Sequence, residues 1–429
     1  MDLAREFIIK MFTASILLLI SWPMATGDFP PSLLWKSSTH PFPLSEGILS
    51  ESSSIENEAI SPIVIDQPVE ETPVDEIPAD ESSAMSNIQP VIENPSDQLI
   101  QCLFSLTNVP SPKAAAFRPD GQEIWVTSLM NSYRGLIVFD AITGAHLKNI
   151  VLPDGGAVEL IFNQDGSRVY ASQMETARVF ELDAQTKEIL RILPTGSTWT
   201  KELALSADQN WLYASNWVGN DVSIINLQTG QLQRRQPTVK TPRGIYLFNN
   251  FLYVAGFDNG EIEKINLING QGEVIYQTGG AMRHIVGDPE KGVLYVSDMG
   301  RARIYKVDLD TDQVIEFAQT DINPNTIALS PDGRVLAVSN RGRNHPSGNY
   351  YIPGLEWGSI LFFDTTDGQL LEALIGGNQP TALAISPDGQ RLVYSNFLDH
   401  NLTVCQLPCY EDLKAAGGQS DQYRESLAK

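Results

Sequence analysis

From residue 99 onward the chain is a series of short apolar segments separated by turn residues. One segment recurs, as in Leu-Tyr-Ala-Ser-Asn at 212–216, and six of its seven copies place Ser or Thr two residues after an anchor residue. An apolar run of this length bounded by turns predicts a short β-strand. The anchors of the seven copies are Trp125, Tyr170, Tyr213, Tyr253, Tyr295, Ala337 and Val393.

Turn signals flank each copy. Most anchors follow a turn such as Arg-Pro-Asp-Gly at 118–121, in which Pro presets the first turn residue and Gly tolerates the exit. A second turn, such as Asp-Ala-Ile-Thr-Gly at 140–144, follows the next apolar strand. The anchors lie 40 to 45 residues apart until the last interval of 56. Four short strands in each of seven such units predict an all-β fold, a seven-bladed β-propeller over residues 98–409.

The two ends of the repeat array complement each other. The seventh copy stops after its third strand, at 402–407, while an orphan strand at 99–106 precedes the first copy. The N-terminal strand is therefore expected to complete the last blade and close the ring. Alignment of the last two copies places Cys102 opposite Cys405, which predicts a disulfide, with Cys409 as the alternative partner.

The anchor tetrapeptides, such as Trp-Val-Thr-Ser at 125–128 and Tyr-Val-Ser-Asp at 295–298, resemble those of the YVTN-repeat β-propellers. The resemblance includes both flanking turns and covers roughly residues 99–407. It implies a seven-bladed, exported protein. Such families include exported binding proteins, metal-handling proteins and enzyme-attached domains, and related propellers act as lactonases or lyases, so the resemblance leaves the function open.

The segments outside the repeats differ in composition. Residues 1–27 hold the apolar run Met11–Trp22 followed by small residues, which indicates an export signal or an uncleaved membrane anchor. Residues 28–97 contain 14 Asp or Glu against one Lys and are rich in Pro and Ser, which predicts a disordered acidic linker. Residues 410–429 read as a polar C-terminal tail. We therefore expect a periplasmic, extracellular or cell-surface protein that contacts membrane only through an uncleaved N-terminal segment.

Comparison of the copies identifies a candidate site at the mouth of the central channel. The column that begins each innermost strand is basic in four of seven blades, whereas the whole chain carries a net charge of -23. A funnel with one sign of charge attracts anions, although each cation could instead neutralise a nearby Glu159, Glu202 or Asp321. The column reads Lys113, Val158, Lys201, Arg243, Arg283, Asn325 and Thr381.

A second column, at the end of each second strand, is large and apolar in six of seven blades. It fits either packing between blades or a hydrophobic collar around the mouth. Its members are Leu129, Met174, Trp217, Phe257, Met299, Arg341 and Phe397.

Blade six carries a 14-residue insertion on the same face, within residues 341–358. Its Tyr350, Tyr351 and Trp357 offer apolar area with polar tips. We expect a lid over the mouth with Arg341, Arg343 and His345 at its base; the alternative is a loop that packs on its own blade.

These residues support three hypotheses about function. The first is a non-catalytic binding or scaffold propeller, a monomer that holds an anionic small molecule, or a protein, through Lys113, Lys201, Arg243, Arg283, Trp217, Arg341, Arg343, Tyr350 and Trp357. The second is a lactonase-like or lyase-like enzyme that uses His284 and Glu202. The third is a metal-handling protein with ligands His284, His345 and His400. The sequence requires no cofactor, and its acidic balance argues against nucleic-acid binding.

Overall fold

The computed structural model describes residues 88–89, 99–130, 134–417 and 421–429. The expected export signal, and the expected linker apart from Ile88–Gln89, lie outside the described residues. Within the described chain, 29 strands form seven antiparallel sheets arranged as the blades of a propeller. The predicted fold class and blade number are confirmed. No helix in this part of the chain is long and apolar enough to cross a membrane.

Each blade runs from an innermost strand at the central channel to an outer edge strand. Blade one contains β3 (Pro112–Phe117), β4 (Glu123–Ser128), β5 (Gly135–Asp140) and β6 (His146–Val151), and blade two contains β7 (Glu159–Phe162), β8 (Arg168–Gln173), β9 (Arg178–Asp183) and β10 (Ile189–Pro194). Blade three contains β11 (Thr200–Leu205), β12 (Trp211–Asn216), β13 (Asp221–Asn226) and β14 (Gln231–Pro237), and blade four contains β15 (Pro242–Phe248), β16 (Phe251–Gly256), β17 (Glu261–Asn266) and β18 (Gly272–Gln277). Blade five contains β19 (Met282–Asp288), β20 (Val293–Asp298), β21 (Arg303–Asp308) and β22 (Val314–Gln319), and blade six contains β23 (Pro324–Leu329), β24 (Val335–Asn340), β25 (Ser359–Asp364) and β26 (Leu370–Ile375).

Blade seven closes the ring with strands from both ends of the repeat array. β27 (Pro380–Ile385), β28 (Arg391–Asn396) and β29 (Asn401–Gln406) are followed in the sheet by β2 (Gln101–Leu106) and the short β1 (Ile88–Gln89). Cys102 pairs with Cys405 across β2 and β29, and the two form a disulfide, as predicted. Cys409 is free and exposed. The innermost strand β27 packs against β3, so the ring of blades is complete.

The recurrent Ser of the anchor strand joins neighbouring blades. Ser215 Oγ accepts a hydrogen bond from the Glu202 amide of its own blade at 3.0 Å and donates one to the Arg243 carbonyl of the next blade at 2.8 Å. A buried backbone group without a partner costs free energy, so this hydroxyl stabilises the junction between blades. Ser297, Ser339 and Ser395 each make both kinds of bond. Ser172 donates to a carbonyl of the next blade, and Thr127 accepts a hydrogen bond from a backbone amide of its own blade.

The C-terminal residues, whose polar composition predicts only a tail, fold against blade six. They form α1 (Tyr410–Ala415) and a 3-10 helix (Asp421–Leu427). Leu413 of α1 is fully buried in a core cluster with Leu371 and Leu374 of β26. The end of the chain continues to the base of the insertion, where the Trp357 amide donates to the Leu427 carbonyl at 2.7 Å. The segment is mostly polar, so its composition does not reveal the few apolar residues, such as Leu413, that pack against the propeller.

Candidate functional site

A β-bulge at the start of the innermost strand positions the mouth residues. In six blades the pairing with the second strand shifts between the first and fourth residues of the innermost strand, for example between Thr200 and Leu203. The two bulged residues are the column residue, here Lys201, and its successor, here Glu202. Bulges commonly re-aim side chains beside functional sites. The successors Glu202 and His284 line the central cavity, whereas the column residues do not.

The backbone before several innermost strands is strained. Five non-glycine residues, each two positions ahead of the column residue, adopt left-handed φ angles between 50° and 61°. Such conformations cost free energy and cluster at functional sites, where the surrounding structure enforces them. These residues are Ser111, Trp199, Thr241, Asn323 and Gln379.

Five cations converge at the mouth from different blades. Arg243, Arg283 and Arg341 retain only 4%, 7% and 4% exposure, and Lys113 and Lys201 are partly buried. We call Lys113, Lys201, Arg243, Arg283 and Arg341 the cation cluster. Arg341 comes from the collar column, so the two columns contribute to one site.

Within the cation cluster, Arg243 alone has an ion pair with a described carboxylate. Its guanidinium lies 3.1 Å from Glu202 and 3.8 Å from Glu159. Asp321, which the sequence offered as another neutralising group, instead accepts from Arg424 and Tyr423 of the C-terminal segment. Among the described residues, pairing with a nearby carboxylate therefore accounts for the charge of one of the five cations, Arg243.

The remaining cations are poorly compensated. Burial is the largest cause that lowers the pKa of Lys113 to about 8 and that of Arg283 to about 9. Neighbouring arginines contribute to both decreases, while Tyr350 acts in the opposite sense on both residues and Glu202 does so on Arg283. Burial and then Arg243 lower the pKa of Lys201 well below its usual range. Arg283 Nη1 and Arg341 Nε are buried and have no hydrogen-bond partner among the described residues. Unpartnered buried donors of this kind usually indicate a missing ligand or water.

Two carboxyl groups and a histidine lie just inside the mouth. His284 Nε2 is 3.5 Å from Glu202 Oε1, and Arg243 lies between the two glutamates. Burial, and next the negative charge of Glu202, raise the pKa of Glu159 to about 8. Burial also acts to raise the pKa of Glu202, but His284 and Arg243 outweigh it and the pKa is lowered. The pKa values of the two carboxyl groups are thus shifted in opposite directions, and both groups line a cavity of about 810 Å³.

The insertion reaches across the mouth through Tyr350. Lys113 Nζ donates to the Tyr350 hydroxyl at 2.8 Å, and the Arg341 guanidinium lies 4.4 Å from the centre of the tyrosine ring. The Gln379 side-chain Nε2 donates to the Tyr350 backbone carbonyl at 2.9 Å, and the tyrosine ring packs edge-on against Phe397. Burial acts to raise the pKa of Tyr350, but Arg341 and Lys113 prevail and lower it to about 7.

Two residues of the predicted ligand set lie away from the mouth. The Arg343 side chain is 63% exposed and pairs with Glu356 at 3.2 Å. The Trp357 ring faces Lys429 Nζ at 4.4 Å, against the C-terminal end of the chain. Both residues lie at the outer base of the insertion, where the C-terminal end of the chain packs. No motif in the sequence indicates that contact.

Aromatic side chains surround Lys201. Its ammonium lies 5.3 Å from the centre of the Trp199 ring and 5.7 Å from that of Trp217, and it contacts Met174 Sδ at 2.6 Å. Trp217 in turn packs against Phe257, with ring centres 4.7 Å apart. The collar column therefore contributes aromatic faces to the mouth. Trp199 was not predicted, because the position two residues before the basic column carries a different residue type in each blade and so shows no recurring signal.

The structure does not bring the three candidate metal ligands together. His284 lies in the channel, His345 bonds to Ser347 within the insertion at 2.7 Å, and the exposed His400 accepts the Ser111 amide at 3.0 Å. Among the described residues no group of three or more His, Cys, Asp or Glu side chains is placed to hold a metal ion. The geometry gives no support to the metal-handling hypothesis.

The fold and its mouth define this chain as a seven-bladed β-propeller with a cationic channel mouth. No family model matches it. Antigen Lp49 of Leptospira interrogans serogroup Icterohaemorrhagiae serovar copenhageni (strain Fiocruz L1-130) is 35% identical over 258 residues, which cover 58% of this chain and 57% of the antigen. The chain thus spans little more than half the length of that relative. An uncharacterized protein, YncE of Salmonella typhi, is 21% identical over 244 residues, covering 53% of this chain and 68% of YncE.

A solved structure has the same fold. A chain of Kuenenia stuttgartiensis hydrazine synthase superposes with a TM-score of 0.60 at 17% identity, covering 73% of this chain and 99% of that one. At this level of identity the similarity shows the fold alone.

Proposed function

We propose that this protein is an exported propeller of the YVTN-repeat kind that binds small anionic molecules at the channel mouth. The observation that carries the proposal is the cation cluster, in which four of five buried or partly buried cations have no ion pair with a described carboxylate. Burying a charge without a partner is costly, so such a cluster is expected where a ligand supplies the opposite charge.

The geometry favours a compact anion with several oxygen atoms. Arg283 Nη1 and Arg341 Nε are buried and unpaired among the described residues, and Asn325 has both side-chain polar atoms unpaired as well. Guanidinium groups bind carboxylate and phosphate oxygens in well-defined geometry. A bound anion would use these donors and raise the lowered pKa of Lys113 and Arg283.

Export is supported by two observations. The Cys102–Cys405 disulfide favours an oxidising compartment. One relative carries the name of an antigen. Membership of the YVTN-repeat propellers is supported by the recurrent Ser, which has the same bonding role in several blades.

The test compares two arginines of blade five. We expect sulfate, acetate and citrate to bind the purified protein in isothermal titration calorimetry, and Arg283→Met to weaken that binding about ten- to a hundredfold, since a charged hydrogen bond contributes about 1.5–3 kcal/mol. Arg303→Met is the matched control, because Arg303 pairs with Glu316 on the outer part of the same blade. Undetectable binding of all three anions, or equal loss in both variants, would overturn the proposal.

A further inference from the structure

Blade three presents two indole rings at the channel mouth. Trp217 follows β12 and Trp199 precedes β11, and the Trp217 amide donates to the Trp199 carbonyl at 2.9 Å, so the two residues lie side by side. The same backbone bond occurs in blades four to seven, where the residue that corresponds to Trp199 is small or polar. These residues are Thr241, Ala281, Asn323 and Gln379. Of these five blades, blade three is the one with an aromatic residue at both positions.

The backbone at position 199 does not favour an indole. Trp199 has a φ angle of 60°, in the left-handed region, which is unfavourable for a bulky side chain. Strain of this kind is found at ligand-binding positions. Both indoles are only partly buried, and Trp217 is held in place by Phe257 of blade four. A ligand that covers the open side of the two rings would bury the aromatic area that the protein itself leaves exposed.

The two rings share a cation, Lys201. The distances of its ammonium from the two ring centres, 5.3 Å and 5.7 Å, are those of cation–π contacts. The hydrogen-bond acceptor that the described residues give this ammonium is the Met174 thioether, which is a weak acceptor. An ammonium has three donors, so Lys201 can also donate to a ligand oxygen. Aromatic surface and a hydrogen-bonding cation therefore lie together on this side of the mouth.

We propose that the anion bound at the channel mouth is an aromatic carboxylate, whose ring packs against Trp199 and Trp217 while its carboxylate accepts from Lys201 and Arg283. Arg283 Nη1 is buried and unpaired among the described residues, and the arginine lies near enough to Lys201 to act on its charge. The inference rests on the proposed anion site and names the chemical class of its ligand.

This arrangement distinguishes an aromatic ring from a saturated one. Aromatic rings attract each other in offset or edge-on contacts beyond what their buried area provides. Benzoate and cyclohexanecarboxylate carry the same charge on a six-membered ring, but only benzoate has an aromatic face. The ratio of their affinities therefore measures the contribution of the indoles, and a change in the charge of the mouth affects both ligands alike.

Isothermal titration calorimetry with the full chain tests the inference. We expect benzoate to bind about three- to tenfold more tightly than cyclohexanecarboxylate. Trp199→Leu and Trp217→Leu should each bring this ratio close to one, because leucine keeps apolar volume but has no aromatic face. Trp211→Leu is the matched control, since Trp211 begins β12 at the end of the strand away from the mouth, and it should keep the ratio. Circular dichroism melting establishes that each variant folds.

The outcomes separate this inference from the anion site on which it rests. If acetate or sulfate binds but benzoate has no advantage over cyclohexanecarboxylate, the aromatic subsite is wrong and the anion site stands. A ratio that is unchanged in both mouth variants, or that falls equally in Trp211→Leu, also rules the subsite out. If none of these anions binds, the anion site is lost as well.

Discussion

At the scale of single residues, the same repeat position carries either a structural or a chemical role according to its surroundings. Arg243 and Arg283 occupy one column, yet Arg243 is paired with Glu202 while Arg283 Nη1 has no described partner. The difference arises from the neighbouring column, where blade three supplies Glu202 and blade five supplies His284. Burial then amplifies the difference, because an unpaired charge is much costlier inside the protein than at its surface.

The titration of three residues at the mouth predicts a pH dependence of anion binding. Lys113 loses its positive charge as the pH rises through about 8, Glu159 becomes negative near about 8, and Tyr350 becomes negative near about 7. All three changes make the mouth less positive. The affinity for sulfate, whose charge is constant in this range, should therefore fall about tenfold or more between pH 6 and pH 9.

Calorimetry with sulfate at several pH values checks this profile. Tyr350→Phe should remove the part of the decrease near pH 7 and keep the part near pH 8. An affinity that is the same at both ends of the range would show that these groups do not face the ligand.

At the scale of elements, the insertion of blade six makes the mouth asymmetric. Tyr350 covers the side formed by Lys113 and Phe397, whereas Trp199 and Trp217 remain partly exposed on the side of blade three. The C-terminal segment fixes the outer base of the insertion through Glu356 and Trp357. Between this base and Tyr350 most insertion residues are exposed, so the tip is held mainly by the contacts of Tyr350 itself with Lys113, Gln379 and Phe397.

Removing the Tyr350 side chain should open the mouth. In Tyr350→Ala the hydroxyl no longer competes for Lys113 and the ring no longer covers Arg341. We expect sulfate to bind about three- to tenfold more tightly, because a larger share of molecules is open to the ligand. Ile352→Ala, at an insertion residue that is 39% exposed, is the control and should bind as the unmodified protein does. Weaker binding in Tyr350→Ala would instead make Tyr350 part of the ligand site.

At the scale of the whole molecule, closure of the ring depends on a strand that precedes all seven repeats. β2 pairs with β29, and the Cys102–Cys405 disulfide joins positions 303 residues apart in the sequence. The closed ring holds the innermost strands together, and the cation cluster draws residues from blades one, three, four, five and six. The stability of the fold and the arrangement of the cation cluster therefore depend on the same closure.

Replacing both cysteines should destabilise the protein but leave its propeller fold unchanged. Cys102→Ser with Cys405→Ser should lower the free energy of unfolding by about 2–5 kcal/mol, since a cross-link over so long a loop strongly restricts the unfolded chain. Guanidinium chloride denaturation measures this change. Cys409→Ser is the control and should leave the midpoint unchanged, because Cys409 is exposed and outside the disulfide. Equal midpoints in the double variant and the unmodified protein would contradict the prediction.

Comparison of the copies was sufficient for the architecture and for part of the site. Lys113, Lys201, Arg243, Arg283, Arg341 and Tyr350, which depart from or recur within aligned columns, lie together at the mouth, and their ligand-binding role stays a prediction. Arg343 and Trp357 lie away from the mouth, and Trp199 lies there without having been predicted. Their positions depend on contacts with other blades or with the C-terminal segment, which column comparison does not reveal.

The repeat pattern was enough to predict the number of blades, the closing strand and the position of the insertion, and it placed Cys102 opposite Cys405 with Cys409 as the alternative partner. These predictions follow from local strand and turn patterns that repeat at a regular spacing, so the seven copies can be compared position by position. Contacts in the folded chain set which cations are paired, which groups Asp321 accepts hydrogen bonds from and how Tyr350 meets Lys113. Those facts depend on burial and on distances between residues far apart in the chain, and both are set when the ring closes.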